Sequence, residues 1–268
     1  MIEADLARES STMSKRTSPR WATLAPWASW ATPLAALLAY LAFWPVAIEP
    51  RAWQPPKNAG YTGAHQANER LAALRPLPLV GAQSGPEHIL AHDGLIYTGL
   101  SNGDVVRMSP EGQEVRDVVI NTGGRPLGLA MDGQGRLLVA DGMRGLLRVT
   151  GVGPQAQVDV ILKAVQQPVP NDPVRYADAV EVAADGTVWV TDASRRFSPR
   201  ELGSTFEAGV LDILEHSCTG RLIALHPDTL ESRVALSGLC FPNGLAFSGD
   251  GRALFVAETG TFRIVKLD

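Results

Sequence analysis

Short apolar segments that alternate with polar residues fill the chain after about residue 81, and tight glycine-containing turns separate them. Four of these segments can be laid over one another, because each contains an apolar strand, a turn with glycine and a second apolar strand. They read GPEHILAHDGLIYTGL from Gly85, RPLGLAMDGQGRLLVAD from Arg125, YADAVEVAADGTVWVTD from Tyr176 and FPNGLAFSGDGRALFVAE from Phe241. Such alternation around a tight glycine turn is typical of β-hairpins. The pattern therefore predicts an all-β domain.

The overlay places four residues at the same point of successive repeats, at the start of the first strand of each hairpin. These residues are Glu87, Leu127, Asp178 and Asn243. Several short strands in each repeat of this length indicate a β-propeller rather than a helical solenoid. The innermost strands of a propeller line a central channel, so equivalent side chains on them are expected to point towards one axis.

Three of the four equivalent side chains offer oxygen atoms: Glu87, Asp178 and Asn243. Carboxylate and amide oxygens suit a hard cation, and Ca²⁺ accepts them in loose geometry. We therefore predict a Ca²⁺ site with these three ligands, in which Asp178 is also a candidate catalytic base. The alternative is that each residue serves only its local turn, as Asn243 could between Pro242 and Gly244.

An uncharged apolar segment, residues 21–48, precedes the repeats. Its part from Trp27 to Val46 has about the ~20 residues that a helix needs to cross a bilayer. Lys15, Arg16 and Arg20 precede it, which by the positive-inside rule places the N-terminus in the cytoplasm. The segment is expected to be a signal anchor; a cleaved signal peptide is the alternative, while three prolines disfavour a buried helix.

The expected organisation has four parts. It comprises a cytoplasmic tail (1–20), a transmembrane signal anchor (21–48), a linker with a first outer strand (49–80) and a partial β-propeller (81–268). The protein would then be a single-pass membrane protein with its propeller on the periplasmic or another extracytoplasmic side. Either Met1 or Met13 could be the start of the chain.

Charge and cysteine content narrow the range of partners. The 24 Lys and Arg residues against 28 Asp and Glu residues give a formal charge of −4, which argues against a nucleic-acid binder. Cys218 and Cys240 are the two cysteines and form no CxxC motif, so a thiolate zinc site is not expected. Whether the two cysteines pair or remain free thiols stays open at this level.

Several motifs in order make residues 81–268 resemble the strictosidine synthase-like family, which includes the adipocyte plasma membrane-associated proteins. They include GLIYTGLSNGDVVRM, LLVADGMRGLLRV, DGTVWVTDASRRF and GLCFPNGLAFSGDGRALFVAETGTFRIVKL. The wider superfamily contains gluconolactonases and paraoxonases. The resemblance implies a six-bladed propeller with Ca²⁺ in its channel. It matches Glu87 and Asn243 to family ligands, and it places Asp178 where an asparagine is usual.

The resemblance also implies a helical lid over the substrate entrance, at Ser198–His216. The segment FEAGVLDILEH within it has helical spacing of its apolar residues, Phe206, Val210, Leu211 and Leu214. The neighbouring Arg195 and Arg196 could line the channel mouth and bind an anionic substrate, or they could belong to a solvated loop.

Departures from the family pattern limit the expected activity. About four blades are present, and six would need roughly 95 more residues at ~40–50 residues for each blade; the chain is therefore expected to be C-terminally truncated. A later Pro-Asp-Asn ligand motif and the catalytic glutamate of true strictosidine synthases have no counterpart, so strictosidine synthesis is not expected. Leu127 stands where paraoxonases have their catalytic histidine.

Two functions remain from the sequence. The first is a membrane-anchored, Ca²⁺-dependent hydrolase of small esters or lactones, which is expected to be incomplete in this chain. The second is a non-catalytic propeller that serves as a binding or scaffold module. The membrane, reached through the N-terminal helix, is the other expected partner.

Overall fold

The computed structural model describes residues 27–58, 60–77, 79, 84–111 and 117–268. The chain divides into two units, with the boundary between Ala47 and Ile48. The first unit contains helix α1 (Trp27–Phe43), and the second contains all of the β-structure.

Helix α1 is uniformly apolar over its 17 residues, with Pro33 inside it, and its side chains from Trp30 onwards are exposed. It ends at Phe43, two residues before Pro45, as expected because proline disfavours helical geometry in the residue that precedes it. Among the described residues no helix is long and apolar enough to span a bilayer. The structure therefore does not support the predicted transmembrane helix, and residues 21–26 of that prediction lie outside the described residues.

The described residues form four antiparallel sheets that are the blades of a β-propeller. Blade 1 contains β1 (Ile89–His92), β2 (Leu95–Gly99), β3 (Asp104–Met108) and β4 (Asp117–Asn121). Blade 2 contains β5 (Pro126–Met131), β6 (Leu137–Asp141), β7 (Gly145–Thr150) and β8 (Gln157–Leu162). A small hairpin follows, formed by β9 (Ala164–Val165) and β10 (Asp172–Pro173).

Blade 3 contains β11 (Ala177–Val182), β12 (Val188–Asp192), β13 (Gly220–Leu225) and β14 (Ser232–Leu239). Blade 4 contains β15 (Pro242–Phe247), β16 (Leu254–Glu258) and β17 (Arg263–Leu267). Consecutive strands pair within every blade, and the inner strands β1, β5, β11 and β15 contact one another in chain order. The predicted all-β propeller with about four blades is confirmed.

The hydrophobic core lies between adjacent blades. One buried cluster joins blades 1 and 2, for example through Val105 and Val139, and another joins blades 2 and 3 through Leu138 and Val190. A third cluster packs Leu222 of blade 3 against blade 4. Because each blade covers one face of the next, the alternating apolar pattern of the sequence is what stacks the blades.

An insertion between β12 and β13 of blade 3 carries the helices of the second unit. They are α2 (Pro199–Leu202) and α3 (Thr205–Glu215), so the predicted helix within Ser198–His216 is confirmed. The insertion explains why the third repeat is longer than the others. A disulfide between Cys218 and Cys240 joins the end of the insertion to the segment that enters blade 4, which answers the question left open by the sequence.

The remaining stretch before blade 1 is irregular. The described residues between 49 and 79 contain a 3₁₀ turn, Gly63–His65, and no strand, so the first outer strand expected in 49–80 is not found there. Leu77 and Leu79 pack against the outer cluster of blade 1. This segment therefore covers apolar surface of the blade without joining its sheet.

Candidate functional site

A cavity of about 350 Å³ opens at the ends of the inner strands. All four residues that the overlay made equivalent line it: Glu87, Leu127, Asp178 and Asn243. The rest of its wall consists of Arg125, Tyr176, Thr205, Phe206, Gly209, Val210, Ile213 and Phe241. The repeat thus brings together side chains that are far apart in the sequence.

Irregular strand pairing explains why these side chains reach the cavity. In blades 2, 3 and 4 the register shifts directly after the first paired residue of the inner strand, which is Pro126, Ala177 or Pro242. Leu127, Asp178 and Asn243 each follow that residue and lie in the shifted stretch. A β-bulge at this point redirects a side chain out of the regular pleat, which is a common arrangement beside functional sites.

A second layer of cavity residues precedes the first by two positions. Arg125, Tyr176 and Phe241 stand two residues before Leu127, Asp178 and Asn243, respectively. Alternate residues of an extended segment face the same side, which applies to Arg125 and Tyr176; Phe241 has a positive φ of 52° and reaches the cavity from a bend. The sequence analysis did not single out these residues, although the two-residue period was the signal that could have found them.

The Asp178 carboxyl is buried, with the residue 4% exposed, whereas Glu87 lies at the exposed rim. Burial and, to a smaller extent, the Glu87 charge raise the pKa of Asp178 to about 8, while Arg125 acts in the opposite sense. Partial burial of its carboxyl also raises the pKa of Glu87, again opposed by Arg125. The metal-free cavity therefore favours a proton on Asp178 at neutral pH.

Arg125 and Tyr176 are held by backbone carbonyl groups. Arg125 Nη2 donates to the Gly85 carbonyl oxygen at 2.9 Å, and its buried Nη1 has no hydrogen-bond partner among the described residues. The Tyr176 hydroxyl donates to the Thr205 carbonyl oxygen at 2.9 Å and so joins the inner strand of blade 3 to helix α3. Tyr176 also packs edge-on against the Phe241 ring.

Acidic residues at the ends of the second strands fix the segments that carry the cavity residues. Asp192 is fully buried, and its Oδ1 accepts a hydrogen bond from the Tyr176 amide at 2.8 Å. Its Oδ2 accepts a hydrogen bond from Arg221 Nε at 2.9 Å. Glu258 is placed equivalently in blade 4 and accepts a hydrogen bond from the Cys240 amide at 2.7 Å. These buried carboxylates set the backbone path just before Asp178 and Asn243.

Thr191 connects the strands of the site directly. Its hydroxyl donates to the Asn243 carbonyl oxygen at 3.1 Å and accepts from the Ala179 amide at 2.8 Å. Thr191 is fully buried. This bridge fixes the distance between the backbone segments of adjacent inner strands that carry Asp178 and Asn243.

Helix α3 forms the outer wall of the cavity through Thr205, Phe206, Gly209, Val210 and Ile213. The face of α3 that packs onto the propeller shares only Leu211 with the predicted apolar face. It includes Ala208 and Leu211, and it also buries Asp212 and Glu215. The apolar spacing did not reveal this face because acidic side chains form part of it.

Polar contacts stabilise the buried acids of α3, although Asp212 Oδ1 has no hydrogen-bond partner among the described residues. Asp212 Oδ2 accepts hydrogen bonds from the hydroxyls of Ser194 (2.5 Å) and Ser217 (2.6 Å). Glu215 pairs with Arg196 at 2.5 Å, and Arg195 pairs with Asp172 at 3.0 Å. Neither arginine lines the cavity, so their suggested place at the channel mouth is not observed.

The donor set of the cavity fits a hard cation. Glu87 and Asp178 supply carboxylate oxygens and Asn243 supplies an amide oxygen, and a bound cation would offset both the burial and the Glu87 repulsion that raise the pKa of Asp178. The described residues contain no cluster of three or more His, Cys, Asp or Glu side chains that could hold a metal ion, so a cation here would depend on the Asn243 amide as a third ligand. Arg125 lies close enough to oppose the cation in part.

The blades and the cavity at the ends of their inner strands define a β-propeller protein with a candidate ligand site on its axis. Comparison with known proteins specifies the family. The strictosidine synthase family model matches residues 178–267, and the model for the N-terminal region of strictosidine synthase-like proteins matches residues 63–108. The chain belongs to the strictosidine synthase-like family, as its motifs predicted.

Two curated relatives illustrate the match. Strictosidine synthase-like protein 6 of Arabidopsis thaliana is 35% identical, over 74% of this chain and 52% of its own length. The adipocyte plasma membrane-associated protein Hemomucin of Drosophila melanogaster is 32% identical, over 79% of this chain and 37% of its own length. The chain thus spans about half or less of the length of these relatives.

A solved structure supports the fold. A protein of Xanthomonas campestris described as a gluconolactonase aligns with a TM-score of 0.51 and 21% identity, over 68% of this chain and 57% of its own. At this identity the likeness concerns the propeller fold alone.

Proposed function

We propose that the protein is a Ca²⁺-dependent hydrolase of esters or lactones. The observation that carries the proposal is the convergence of Glu87, Asp178 and Asn243 on one cavity, from three different blades. These residues would hold Ca²⁺, and the bound ion would polarise a carbonyl group. The description of a structural neighbour as a gluconolactonase agrees with this reaction class.

The residues of the chain have separate roles in this proposal. Deprotonated Asp178 accepts a proton as a water oxygen bonds to the carbonyl carbon, and its carboxyl group returns that proton to the leaving alcohol when the ester C–O bond breaks. Leu127 and Phe241 exclude water from the inner wall of the cavity, where both are buried. Arg125 places a positive charge beside both carboxylates, and helix α3 covers the outer side.

Calorimetric titration of the full chain with Ca²⁺ tests the ligand assignment. Glu87→Gln and Asn243→Ala are expected to weaken binding at least tenfold, because each removes a ligand oxygen or its charge. Glu181→Gln is the matched control, since Glu181 is partly buried on β11 but does not line this cavity. Equal Ca²⁺ affinity in the wild type and both ligand variants would refute the assignment.

Leu127 favours a second candidate function, a non-catalytic binding module. Its buried aliphatic side chain occupies one of the four equivalent positions and offers no group for proton transfer or metal binding. Turnover of aryl acetates and simple lactones with and without EDTA separates the two functions. EDTA-sensitive hydrolysis by the full chain supports the enzyme, and its absence despite Ca²⁺ binding supports the binding module.

We also propose that the protein is membrane-associated, with the propeller on the extracytoplasmic side. The apolar, exposed helix α1 supports this, as does the name of the relatives called adipocyte plasma membrane-associated proteins. Alkaline carbonate extraction of membranes tests whether the chain is inserted in the bilayer. An anchored chain stays in the pellet, whereas release into the supernatant would contradict a spanning segment.

A further inference from the structure

We propose that the cavity takes a ligand with an apolar chain, which lies against helix α3 while its carbonyl group faces the inner strands. This inference deepens the proposed function, since it specifies the acyl part of an ester or lactone. It concerns binding, however, and can be tested without turnover.

Much of the cavity wall is apolar. Helix α3 contributes Phe206, Val210 and Ile213, and the inner strands add Leu127 and Phe241. These side chains have no hydrogen-bonding groups, so a polyhydroxylated ligand would lose hydrogen bonds to water on entering without regaining them here. An alkyl or aryl group loses nothing by the same transfer and gains from it.

Apart from Thr205 of α3, the polar lining residues lie on the inner-strand side. Asp178 and Asn243 come from the strand starts, and Arg125 and Tyr176 from the layer just before them. An apolar wall that faces a small number of convergent polar groups is the usual composition of a site that orients a small organic ligand. The cavity volume of about 350 Å³ is within the range of such sites.

Part of the apolar wall is exposed to water in the absence of a ligand. Phe206 is 79% exposed and Val210 is 37% exposed. Their positions are built into the fold, because Asp212, Glu215 and the Cys218–Cys240 disulfide fasten the other face and the end of the helix insertion. Covering these side chains with an apolar chain would remove both surfaces from water.

Gly209 allows helix α3 to lie close against Tyr176 and Phe241. A Cβ atom at this position would lie 3.1 Å from Phe241 Cζ and 3.9 Å from the Tyr176 hydroxyl. The absence of a side chain allows α3 to approach the aromatic pair closely, so that the wall on both sides of Gly209 is formed by Phe206, Val210 and Ile213.

Straight-chain methyl ketones test the proposal, because they carry a carbonyl group but no leaving group. The full chain is titrated calorimetrically with 2-hexanone, 2-octanone and 2-decanone, and with D-glucitol as the polyhydroxylated comparison. Each added pair of methylenes is expected to tighten binding on the order of tenfold. Val210→Ser and Phe206→Ser should each weaken 2-decanone binding at least fivefold.

Leu214→Ser is the matched control, since Leu214 is 57% exposed on the same helix but is not among the described residues that line the cavity. It should leave ketone binding unchanged. Affinity that is independent of chain length, tighter binding of glucitol, no ketone binding or an equal effect of Leu214→Ser would each overturn the proposal.

The same titrations in EDTA separate this inference from the proposed function. Dependence on chain length without any Ca²⁺-dependent hydrolysis would support the ligand class and refute the hydrolase. Ca²⁺-dependent hydrolysis with equal rates for short-chain and long-chain esters, together with ketone binding that does not depend on chain length, would support the hydrolase and refute the ligand class.

Discussion

Replacement of Asp178 with asparagine should stabilise the metal-free protein at pH 8 and have a much smaller effect at pH 5. Asparagine has nearly the shape of a protonated aspartate but cannot ionise. In the folded protein, burial and the Glu87 charge raise the pKa of Asp178 from 3.8 to about 8. In the unfolded chain the carboxyl regains water and its ordinary pKa.

The sign of the effect follows from the two pKa values. Below pH 3.8 Asp178 is protonated in both states, so its ionisation does not affect the free energy of unfolding. Between pH 3.8 and about 8 the unfolded chain ionises while the folded protein keeps the proton, and stability is lost as the pH rises. From pH 5 to pH 8 this loss amounts to ~3 kcal/mol, and the asparagine variant lacks it.

Urea denaturation of wild type and variant in EDTA, at pH 5, 6, 7 and 8, measures the difference. The stability advantage of Asp178→Asn should grow steadily with pH. Glu181→Gln serves as a control for a partly buried glutamate on the same strand, outside the cavity. Parallel stability profiles for the wild type and Asp178→Asn would show that Asp178 is ionised in the folded protein and would refute this description of the cavity.

Three further predictions concern the supports of the site. Arg221→Ala should cost ~3–5 kcal/mol of unfolding free energy in urea denaturation, because it leaves buried Asp192 without its cation; a loss below 1 kcal/mol would contradict this. Thr191→Val should lower the free energy of unfolding by ~1–3 kcal/mol, since it leaves the Ala179 amide of blade 3 and the Asn243 carbonyl of blade 4 without their shared partner; an unchanged melting temperature would argue against the bridge. Reduction of the Cys218–Cys240 disulfide, which has a sequence separation of 22, should cost about 3 kcal/mol and increase amide hydrogen exchange in α3; unchanged exchange in α3 would show that the disulfide does not fasten the helix.

The sequence predicted the blades and the cavity positions for a physical reason. Strand alternation has a period of two, and the inner strands of blades 2, 3 and 4 start with the same irregular pairing, so Leu127, Asp178 and Asn243 remained equivalent in the linear overlay. The overlay could not identify the contacts that fix the backbone at those positions. The contacts of Asp192 and Glu258 depend on partners that only the folded sheet brings near.

Helices were harder to interpret from the sequence than strands. In α3 the apolar residues Phe206, Val210 and Leu214 are exposed to water, whereas Asp212 and Glu215 are buried and find polar partners in the loops that flank the helix. Only the tertiary structure shows the polar contacts that compensate for the burial of these acids. At the N-terminus the uncharged run suggested a helix of spanning length, whereas α1 covers Trp27–Phe43, and a nearby proline limits its extent.

The insertion that carries α3 leaves the sheet of blade 3 intact. Strands β12 and β13 remain paired up to Asp192 and Arg221, so residues 193–219 leave and re-enter the blade at adjoining backbone positions. The loop can therefore be regarded as an exchangeable module: its sequence can diverge, or be replaced by that of a relative, without a change of strand register. A family built in this way could acquire new ligand preferences one loop at a time while the strands of each propeller keep the same pairing.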